Sequence, residues 1–249
     1  MFYRILYIGT MILMLGCKNT SQQTESTKMD ETSLSFTTLA PESTQIIVVQ
    51  TAEWHEIHGK MQLWEKTGAG WNRVHEFNIL VGRNGMAWDN TSTLKNHLAG
   101  PIKKEGDGCS PAGVFSLDKI FSYHQTENLK MPFIQVDEND LCVDDINSKY
   151  YNLLINDSTI TDKDYHSFEH MLRDDLQYEY GVWVNYNTNP QTPGNGSCIF
   201  LHIYKDENTP TSGCTAMVKK DMLTLINWLN SSAQPRLIQL PASIQLQAL

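Results

Sequence analysis

The sequence has no cluster of basic residues. Its 249 residues include 19 Lys and Arg against 28 Asp and Glu, and the formal net charge is −9. Proteins that bind nucleic acid neutralise its phosphates with clustered lysines and arginines. We therefore expect no nucleic-acid partner for this chain.

The sequence also has no apolar run that would span a bilayer as a helix of about 20 residues. Its N-terminal apolar run, from Ile5 to Leu15, follows Arg4 and ends just before Gly-Cys at Cys17. A positive charge, a short apolar run and a small residue are typical of a secretory signal. Because it ends on Gly-Cys, this segment resembles a bacterial lipobox. We expect residues 1–16 to be a signal peptide and Cys17 to carry lipid; an ordinary secreted protein with an incidental cysteine is the alternative.

Cysteines are few. If Cys17 carries lipid, four remain: Cys109, Cys142, Cys198 and Cys214. An exported protein folds in an oxidising compartment, where four cysteines can form two disulfides. A disulfide is therefore the main rival to a catalytic role for any of these thiols.

Residues 17–44 are polar, rich in Ser and Thr, and nearly free of aromatics. Such a segment cannot bury enough apolar surface to offset its ordering entropy, so we predict a flexible tether. Residues 45–249 contain no internal repeat, and in a chain that is 41 % hydrophobic they are long enough to form one domain with its own core. Lipid on Cys17 would anchor this domain to a membrane, and we expect it on the periplasmic side of the cell envelope.

Short apolar runs bounded by Gly or polar residues dominate the predicted domain and are typical of β-strands. The strand candidates are QIIVVQT, GKMQLWEK, WNRVHEFNILVG, YYNLLIN, GVWVNYN, SCIFLHIY and PRLIQLP. A tight turn is predicted at Asn84-Gly85. Helical spacing of apolar residues predicts a helix in VKKDMLTLINWLN, and a second short helix is predicted in KDYHSFEHMLRDDLQYEY. The expected fold is mainly β with a few surface helices.

The strand candidate SCIFLHIY carries a residue of chemical interest. Side chains alternate between the faces of a strand, so Ile199, Leu201 and Ile203 are expected to face the core and His202 the opposite side. The polar loop that follows is long enough to return Cys214 to the side of this strand. An adjacent imidazole can take the proton of a thiol and favour the thiolate, which is the nucleophilic form.

The residues before Cys214 fit such a role. Gly213 permits unusual backbone angles, and the N–H groups of Gly213 and Cys214 could stabilise an oxyanion. A zinc site is not expected, because Cys198 and His202 would lie roughly 13 Å apart along a strand. A cysteine with a histidine elsewhere in the chain is more often structural or disulfide-bonded. These residues alone therefore leave nucleophile, structural thiol and disulfide open.

Two separated segments resemble the L,D-transpeptidase catalytic domain family (YkuD-like). HIYKDENTPTSGCTAM is similar to the family's His, spacer and Ser/Thr-x-Gly-Cys signature, and EGDGCSPAGVFSL is similar to its upstream GDG-x-[ST]-P-x-G-x-F segment. VGRNGMAW and GVWVNYN fit a subgroup whose active-site motif reads Gly-Cys-Thr-Ala-Met. The resemblance covers most of residues 45–240.

The resemblance implies a β-sandwich catalytic domain without metal or organic cofactor. Cys214 would attack the carbonyl of an L,D-peptide bond in a peptidoglycan stem peptide, with His202 as base and then acid. Gly213 and Cys214 would supply oxyanion donors, and Ser212 or Thr211 would orient the site. An amine of a neighbouring stem would resolve the acyl-enzyme in a transpeptidase, and water in a carboxypeptidase.

The sequence departs from the family pattern at two positions. Many members have His two residues before the cysteine and Arg two after it, where this chain has Ser212 and Ala216. The missing arginine leaves open how a substrate carboxylate is held. Arg83 is predicted to form an ion pair that stabilises its turn, and contact with a carboxylate is the alternative. The alternative function is a catalytically silent envelope-binding lipoprotein in which Cys214 is tied in a disulfide, with Cys198 as a candidate partner.

Overall fold

A computed structural model describes Met1 and residues 34–249. The predicted signal peptide, Cys17 and most of the predicted tether lie outside the described residues. The described part contains 13 strands and two α-helices. The prediction of a mainly β fold is therefore confirmed. Neither helix has the length and apolarity that a membrane-spanning helix needs, and this finding concerns the described residues only.

The strands are short, apart from three of ten residues or more. They are β1 (Gln45–Thr51), β2 (His58–Thr67), β3 (Gly70–Leu80), β4 (Met86–Trp88), β5 (Ser110–Ser122), β6 (Phe133–Gln135), β7 (Asp140–Val143), β8 (Leu154–Asn156), β9 (Phe168–His170), β10 (Tyr180–Val184), β11 (Phe200–Ile203), β12 (Thr215–Met217) and β13 (Arg236–Gln239). The helices are α1 (Phe36–Leu39) and α2 (Lys219–Trp228), and single 3₁₀ turns lie at Thr93–Asn96, Asp157–Thr159 and Ser231–Ala233.

Most strands belong to one sheet, in the order β10-β11-β12-β3-β2-β1-β13-β5-β4. The 13-residue strand β5 also pairs with β10, so the path of neighbouring strands closes on itself. The first part of β5 pairs with β13 and the later part with β10. Its aliphatic residues and those of β1 lie in the enclosed core, which explains why β1 reads as a continuous apolar run.

The segment SPAGVF, from Ser110 to Phe115, forms the first part of β5. Pro111 pairs with Ala87 of the parallel strand β4 near the start of β5. A proline is tolerated there because a strand end demands fewer ladder hydrogen bonds than a strand centre.

The predicted turn at Asn84-Gly85 is confirmed. Gly85 has φ +80, and its N–H donates to the Gly82 carbonyl at 2.7 Å. A Cβ on Gly85 would lie 2.0 Å from the carbonyl oxygen of Trp54, so only glycine fits. The turn carries Arg83 on its exposed side.

Residues 34–44 belong to the folded domain, and the predicted tether is wrong in this part. The ring of Phe36 is 2 % exposed and packs edge-on against Trp64 and Trp71. The N–H of Phe36 donates to the carbonyl of Gln247. The apolar surface that Phe36 buries thus compensates for the low apolar content of the neighbouring residues.

One of the two predicted helices is present. In α2 the predicted apolar stripe is buried at Met222, Leu225 and Ile226, and α2 packs against β10 and β11. Val218 is the N-cap and is exposed.

The other predicted helix is wrong. Its segment forms β9 and turns, which the side chains of aspartates stabilise by accepting backbone N–H groups. The Asp175 bond is local and competes with helix formation, whereas the Asp145 bond holds the N–H of His166 from 21 residues earlier in the chain. β9 joins β7 and β8 in a separate sheet of order β8-β7-β9.

Candidate active site

Cys214 lies at the end of the loop that joins β11 to β12. These strands are parallel neighbours, with Leu201 opposite Thr215. The loop therefore folds back beside the strand it leaves, as predicted. The amide of Phe200 donates to Cys214 Sγ at 3.3 Å, which fixes the thiol beside β11.

The two faces of β11 differ as the alternation predicts. Ile199 and Leu201 lie in the main core. Cys198 and Phe200 face the other way and form a second cluster of buried residues together with Cys214. The thiol thus sits outside the main core, under a separate layer of side chains.

Two hydroxyl groups hold the carbonyl of Cys214. Thr211 Oγ1 donates to it at 2.6 Å and Ser110 Oγ at 2.9 Å. The N–H of Thr211 donates to the carbonyl of Val81, so the loop is also pinned to the chain after β3. Of the two residues predicted to orient the site, Thr211 makes the direct contact with the cysteine.

The predicted oxyanion donors differ in their availability. The N–H of Gly213 donates to Thr211 Oγ1 at 3.1 Å and is already engaged. The N–H of Cys214 makes no hydrogen bond to another described residue. The φ of Gly213 is not left-handed, contrary to the expectation of unusual backbone angles. Glycine fits here because a Cβ would lie 3.2 Å from the carbonyl oxygen of Cys109.

The thiol of Cys214 is free and only 6 % exposed. Its Sγ donates to the carbonyl of Cys198 at 3.4 Å. Burial, and then the negative charge of Glu169, raise the pKa of Cys214 well above its usual value. The resting group is the neutral thiol.

His202 is 4 % exposed and packs edge-on against the ring of Tyr178, with centroids 5.1 Å apart. Its Nδ1 lies 2.8 Å from the carbonyl oxygen of Ile203, which can only accept. Nδ1 therefore carries the proton, and Nε2 of the neutral ring is left as an acceptor. Burial lowers the pKa of His202 to about 4, against the opposing effect of the carbonyls of Ile203 and Gln177.

Cys214 and His202 are therefore both neutral in the resting protein. The expected thiolate–imidazolium pair is not the ground state, because the buried site disfavours both charged forms. Among the described residues, Cys214 Sγ bonds to backbone groups and not to the imidazole. A neutral imidazole with a free Nε2 can nevertheless accept the thiol proton as sulfur attacks a bound carbonyl.

Cys214 and His202 line one groove of about 530 Å³. Gly213, Ser212 and Thr211 line it as well. The charged side chains along the groove are Arg83, Lys103, Glu105, Asp144, Glu169 and Arg173. A larger cavity of about 770 Å³ lies over β2 and β3, and neither Cys214 nor His202 reaches it. No group of three or more His, Cys, Asp or Glu in the described part could hold a metal ion.

A disulfide joins Cys142 to Cys198 beside this groove. The suggested Cys198–Cys214 bond is therefore wrong, and Cys109 is also free and buried. The disulfide ties β7 of the small sheet to Cys198, two residues before β11. The N–H of Cys198 donates to Asn152 Oδ1 at 2.9 Å, which fixes the same segment from the side of β8.

A family model described as the L,D-transpeptidase catalytic domain (YkuD) matches residues 45–238. The chain belongs to this family. The match identifies residues 45–238 as a catalytic domain of the L,D-transpeptidase type. No curated protein matches the chain.

One solved structure similar to this L,D-transpeptidase domain is that of Bd1075 from Bdellovibrio bacteriovorus, with 13 % identity and a TM-score of 0.40. The similarity covers 79 % of this chain and 47 % of that chain. This chain therefore spans about half the length of Bd1075.

This L,D-transpeptidase domain lacks the usual arginine after its cysteine for a steric reason. Ala216 is fully buried in β12, opposite His202 on one side and Leu80 on the other. Another arginine, Arg83, lines the same groove, and its Nη1 donates to Ser212 Oγ at 3.2 Å. The ion pair suggested for Arg83 is wrong, since it pairs with no carboxylate among the described residues.

Two residues of the L,D-transpeptidase site were missed in the sequence. Tyr178 packs on His202, and its hydroxyl donates to Glu169 in the groove. Both lie in the segment that was predicted as a helix. The spacing of apolar residues in that segment gives no signal that Glu169 and Tyr178 would face a groove. Tyr165 and His170 of the same segment do not line the groove.

Proposed function

We propose that this chain is a cysteine-dependent L,D-transpeptidase that acts on peptidoglycan stem peptides through a Cys214 acyl-enzyme. One observation carries the proposal: a free thiol and a neutral histidine with an unprotonated Nε2 line the same groove of an L,D-transpeptidase domain. Hydrolysis of the same bond, as in a carboxypeptidase, is the second candidate. The free thiol of Cys214 argues against the alternative of a catalytically silent protein in which this cysteine is disulfide-bonded.

The first half-reaction forms a thioester. His202 Nε2 takes the thiol proton while Sγ bonds to the carbonyl carbon of the L,D-peptide bond. The Cys214 N–H, which has no partner among residues 34–249, donates to the oxyanion. The carbon–nitrogen bond then breaks, and His202 returns the proton to the leaving amino group.

The second half-reaction releases the acyl group. An amine or water attacks the thioester carbonyl and passes a proton to His202. The carbon–sulfur bond breaks, and the thiolate recovers its proton from the imidazolium. Arg83 lies on the Ser212 side of the groove and would hold a substrate carboxylate, in place of the arginine that Ala216 replaces.

The test is incubation of the purified protein with disaccharide tetrapeptide, followed by mass spectrometry beside Cys214→Ala. A cross-linked dimer that has lost one terminal D-amino acid supports the transpeptidase, and tripeptide alone supports the carboxypeptidase. An adduct on Cys214 is expected in the intact protein. No product and no adduct would refute both reactions.

We further propose a lipid anchor at Cys17 that holds the enzyme on the periplasmic side of the cell envelope. The support is the Gly-Cys end of the N-terminal apolar segment. Labelled palmitate supplied to cells should enter the parent protein and not Cys17→Ser. Equal labelling of both would refute lipidation at this residue.

A further inference from the structure

The cavity of about 770 Å³ over β2 and β3 is separate from the groove of Cys214, and polar side chains form its floor. Gln50 of β1 is paired with Lys60 of β2, and Lys60 is paired with Asn78 of β3. Directly opposed residues share a face of a sheet, so these three side chains lie in one row. Gln62 lies two residues after Lys60 and belongs to the same face. The volume is typical of a small-molecule site.

One wall of this cavity is the loop that joins β11 to β12. Tyr204, Glu207 and Asn208 of this loop line the cavity. The next two residues, Thr209 and Pro210, line the active-site groove. This part of the loop therefore forms a ridge, with the cavity on one side and the groove on the other.

The ridge is held by hydrogen bonds. The carboxylate of Asp206 accepts the N–H of Asn208 at 2.9 Å and the hydroxyl of Thr209 at 2.8 Å. On β2, His58 Nε2 lies 3.1 Å from the carbonyl oxygen of Glu207, which can only accept, so Nε2 is the donor. The wall of the cavity is thus formed without a ligand.

The cavity lies close enough to the nucleophile to hold another part of the same substrate. Leu80 lines the cavity and is paired with Ala216, two residues after Cys214. The Cα of Leu80 therefore lies within roughly 13 Å of the Cα of Cys214. The three residues that precede the scissile bond of a tetrapeptide stem span roughly 10 Å when extended. A stem with its scissile bond at Cys214 can thus place its sugar end in the cavity.

The lining suits a neutral ligand with hydroxyl and amide groups. Its Asp, Glu, Lys and Arg residues are one of each sign, Lys60 and Glu207. The side-chain amides of Gln50 and Asn208 form no hydrogen bond with another described residue, and each can both donate and accept. The ring of Tyr204 adds an apolar surface. A sugar ring has the matching properties, with polar groups at its edge and an apolar face.

We propose that this cavity is a subsite for the glycan strand, and that it binds the N-acetylated disaccharide that carries the stem peptide. The inference rests on the proposed function, because it places the sugar of the substrate whose peptide enters the groove. The amides of Gln50 and Asn208 would bind hydroxyl and N-acetyl groups, and the ring of Tyr204 would pack on the apolar face of one sugar. The enzyme would then prefer a stem on its glycan to a free peptide.

The experiment measures binding by calorimetry to the purified protein that carries Cys214→Ala, which cannot form an acyl-enzyme. The two probes are disaccharide tetrapeptide and a tetrapeptide acetylated at its N-terminus, so neither has a charged N-terminal amine. We expect the disaccharide tetrapeptide to bind about tenfold more tightly, because only this probe reaches the cavity.

Variants in the same background locate the sugar. Gln50→Ala and Tyr204→Ala should each weaken binding of the disaccharide tetrapeptide about fivefold, the size expected for one neutral hydrogen bond or one ring contact. Tyr204→Phe keeps the ring and should retain most of the affinity. Gln125→Ala is the matched control, since Gln125 is exposed and lines neither the cavity nor the groove. Thermal unfolding reports whether each variant is folded.

Three outcomes would overturn the inference: equal affinity for the two probes, unchanged affinity in folded Gln50→Ala and Tyr204→Ala, or an equal loss with the acetylated tetrapeptide. The last outcome would assign both residues to the stem peptide. These outcomes are distinct from failure of the proposed function. If the protein with intact Cys214 forms its adduct but the probes bind equally, only the glycan subsite is refuted; if no adduct and no product form, the proposed function fails.

Discussion

Burial sets the protonation states of single residues at this site. Both Cys214 and His202 keep their neutral forms because each lies under other side chains. The site therefore rests as thiol and imidazole, and in the proposed mechanism the substrate binds before a proton moves. This arrangement protects the sulfur from oxidants, since the thiolate is the reactive form.

The acid limb of kcat/KM is expected near pH 4. A base must be unprotonated, and burial lowers the pKa of His202 to about 4. Activity should thus persist at pH 5, where an imidazole of ordinary pKa, about 6.5, is almost fully protonated. Initial rates at low substrate across pH 3.5–8 would show this. A limb near pH 6.5 would contradict the buried, neutral histidine.

Cys214 is expected to react slowly with iodoacetamide at pH 7 and faster only in alkaline solution. The reason is its raised pKa, which keeps the thiolate scarce near neutrality. Peptide mass spectrometry separates its alkylation from that of the other free thiol, Cys109. Rapid modification of Cys214 at pH 7 would indicate a thiolate–imidazolium pair.

The sequence predicted that Cys214 and His202 lie at one site, but it did not predict the bonds that each of them makes. Alternation along SCIFLHIY placed His202 correctly, because period two is a property of any strand. The partner of Cys198 could not be predicted, since four cysteines allow three pairings. The pKa values also required the fold, because they follow from neighbours that are distant in the chain.

At the scale of elements, two parallel strands and the loop between them position Cys214 beside His202. β11 supplies His202, β12 begins just after Cys214, and the loop carries Thr211. Helix α2 was predictable from its periodicity. The segment around β9 was not, because its turns depend on aspartates that accept backbone N–H groups, and one of them, Asp145, lies 21 residues from the N–H that it accepts.

Thr211→Val is expected to lower kcat/KM about tenfold, as loss of roughly 1.4 kcal/mol of hydrogen bonding predicts. The change keeps the volume of the side chain but removes the hydroxyl that bridges the Cys214 carbonyl and the Gly213 N–H. Thr224→Val on α2 is the control, since its hydroxyl bonds only within its own helix. Equal rates for both variants would show that the loop is held without Thr211.

At the scale of the whole molecule, the small sheet of β7, β8 and β9 lies against the main sheet, next to the groove that Cys214 lines. The disulfide and a shared cluster of buried residues connect the two. The family match spans residues 45–238, yet the fold also includes residues 34–44. Composition could not reveal that inclusion, because it depends on one aromatic ring reaching two tryptophans.

Removal of the disulfide should lower the free energy of unfolding by roughly 4 kcal/mol, the chain-entropy value for a loop of this length. The bond links residues separated by 56 positions. The double variant Cys142→Ser, Cys198→Ser is compared with Cys109→Ser by urea unfolding. A loss in the double variant no greater than in Cys109→Ser would mean that packing alone holds the small sheet.

The position of Cys198 also creates a risk of wrong disulfide pairing in a chain that is exported, as we propose for this one. Its native partner is 56 residues away, whereas Cys214 is only 16 residues away and has no partner of its own. Closure of the shorter loop is entropically easier, so early oxidation favours the wrong pair. That pair would consume the nucleophile. We therefore expect correct pairing to require thiol exchange, and a cell without a disulfide isomerase should accumulate inactive protein in which Cys142 is still reduced.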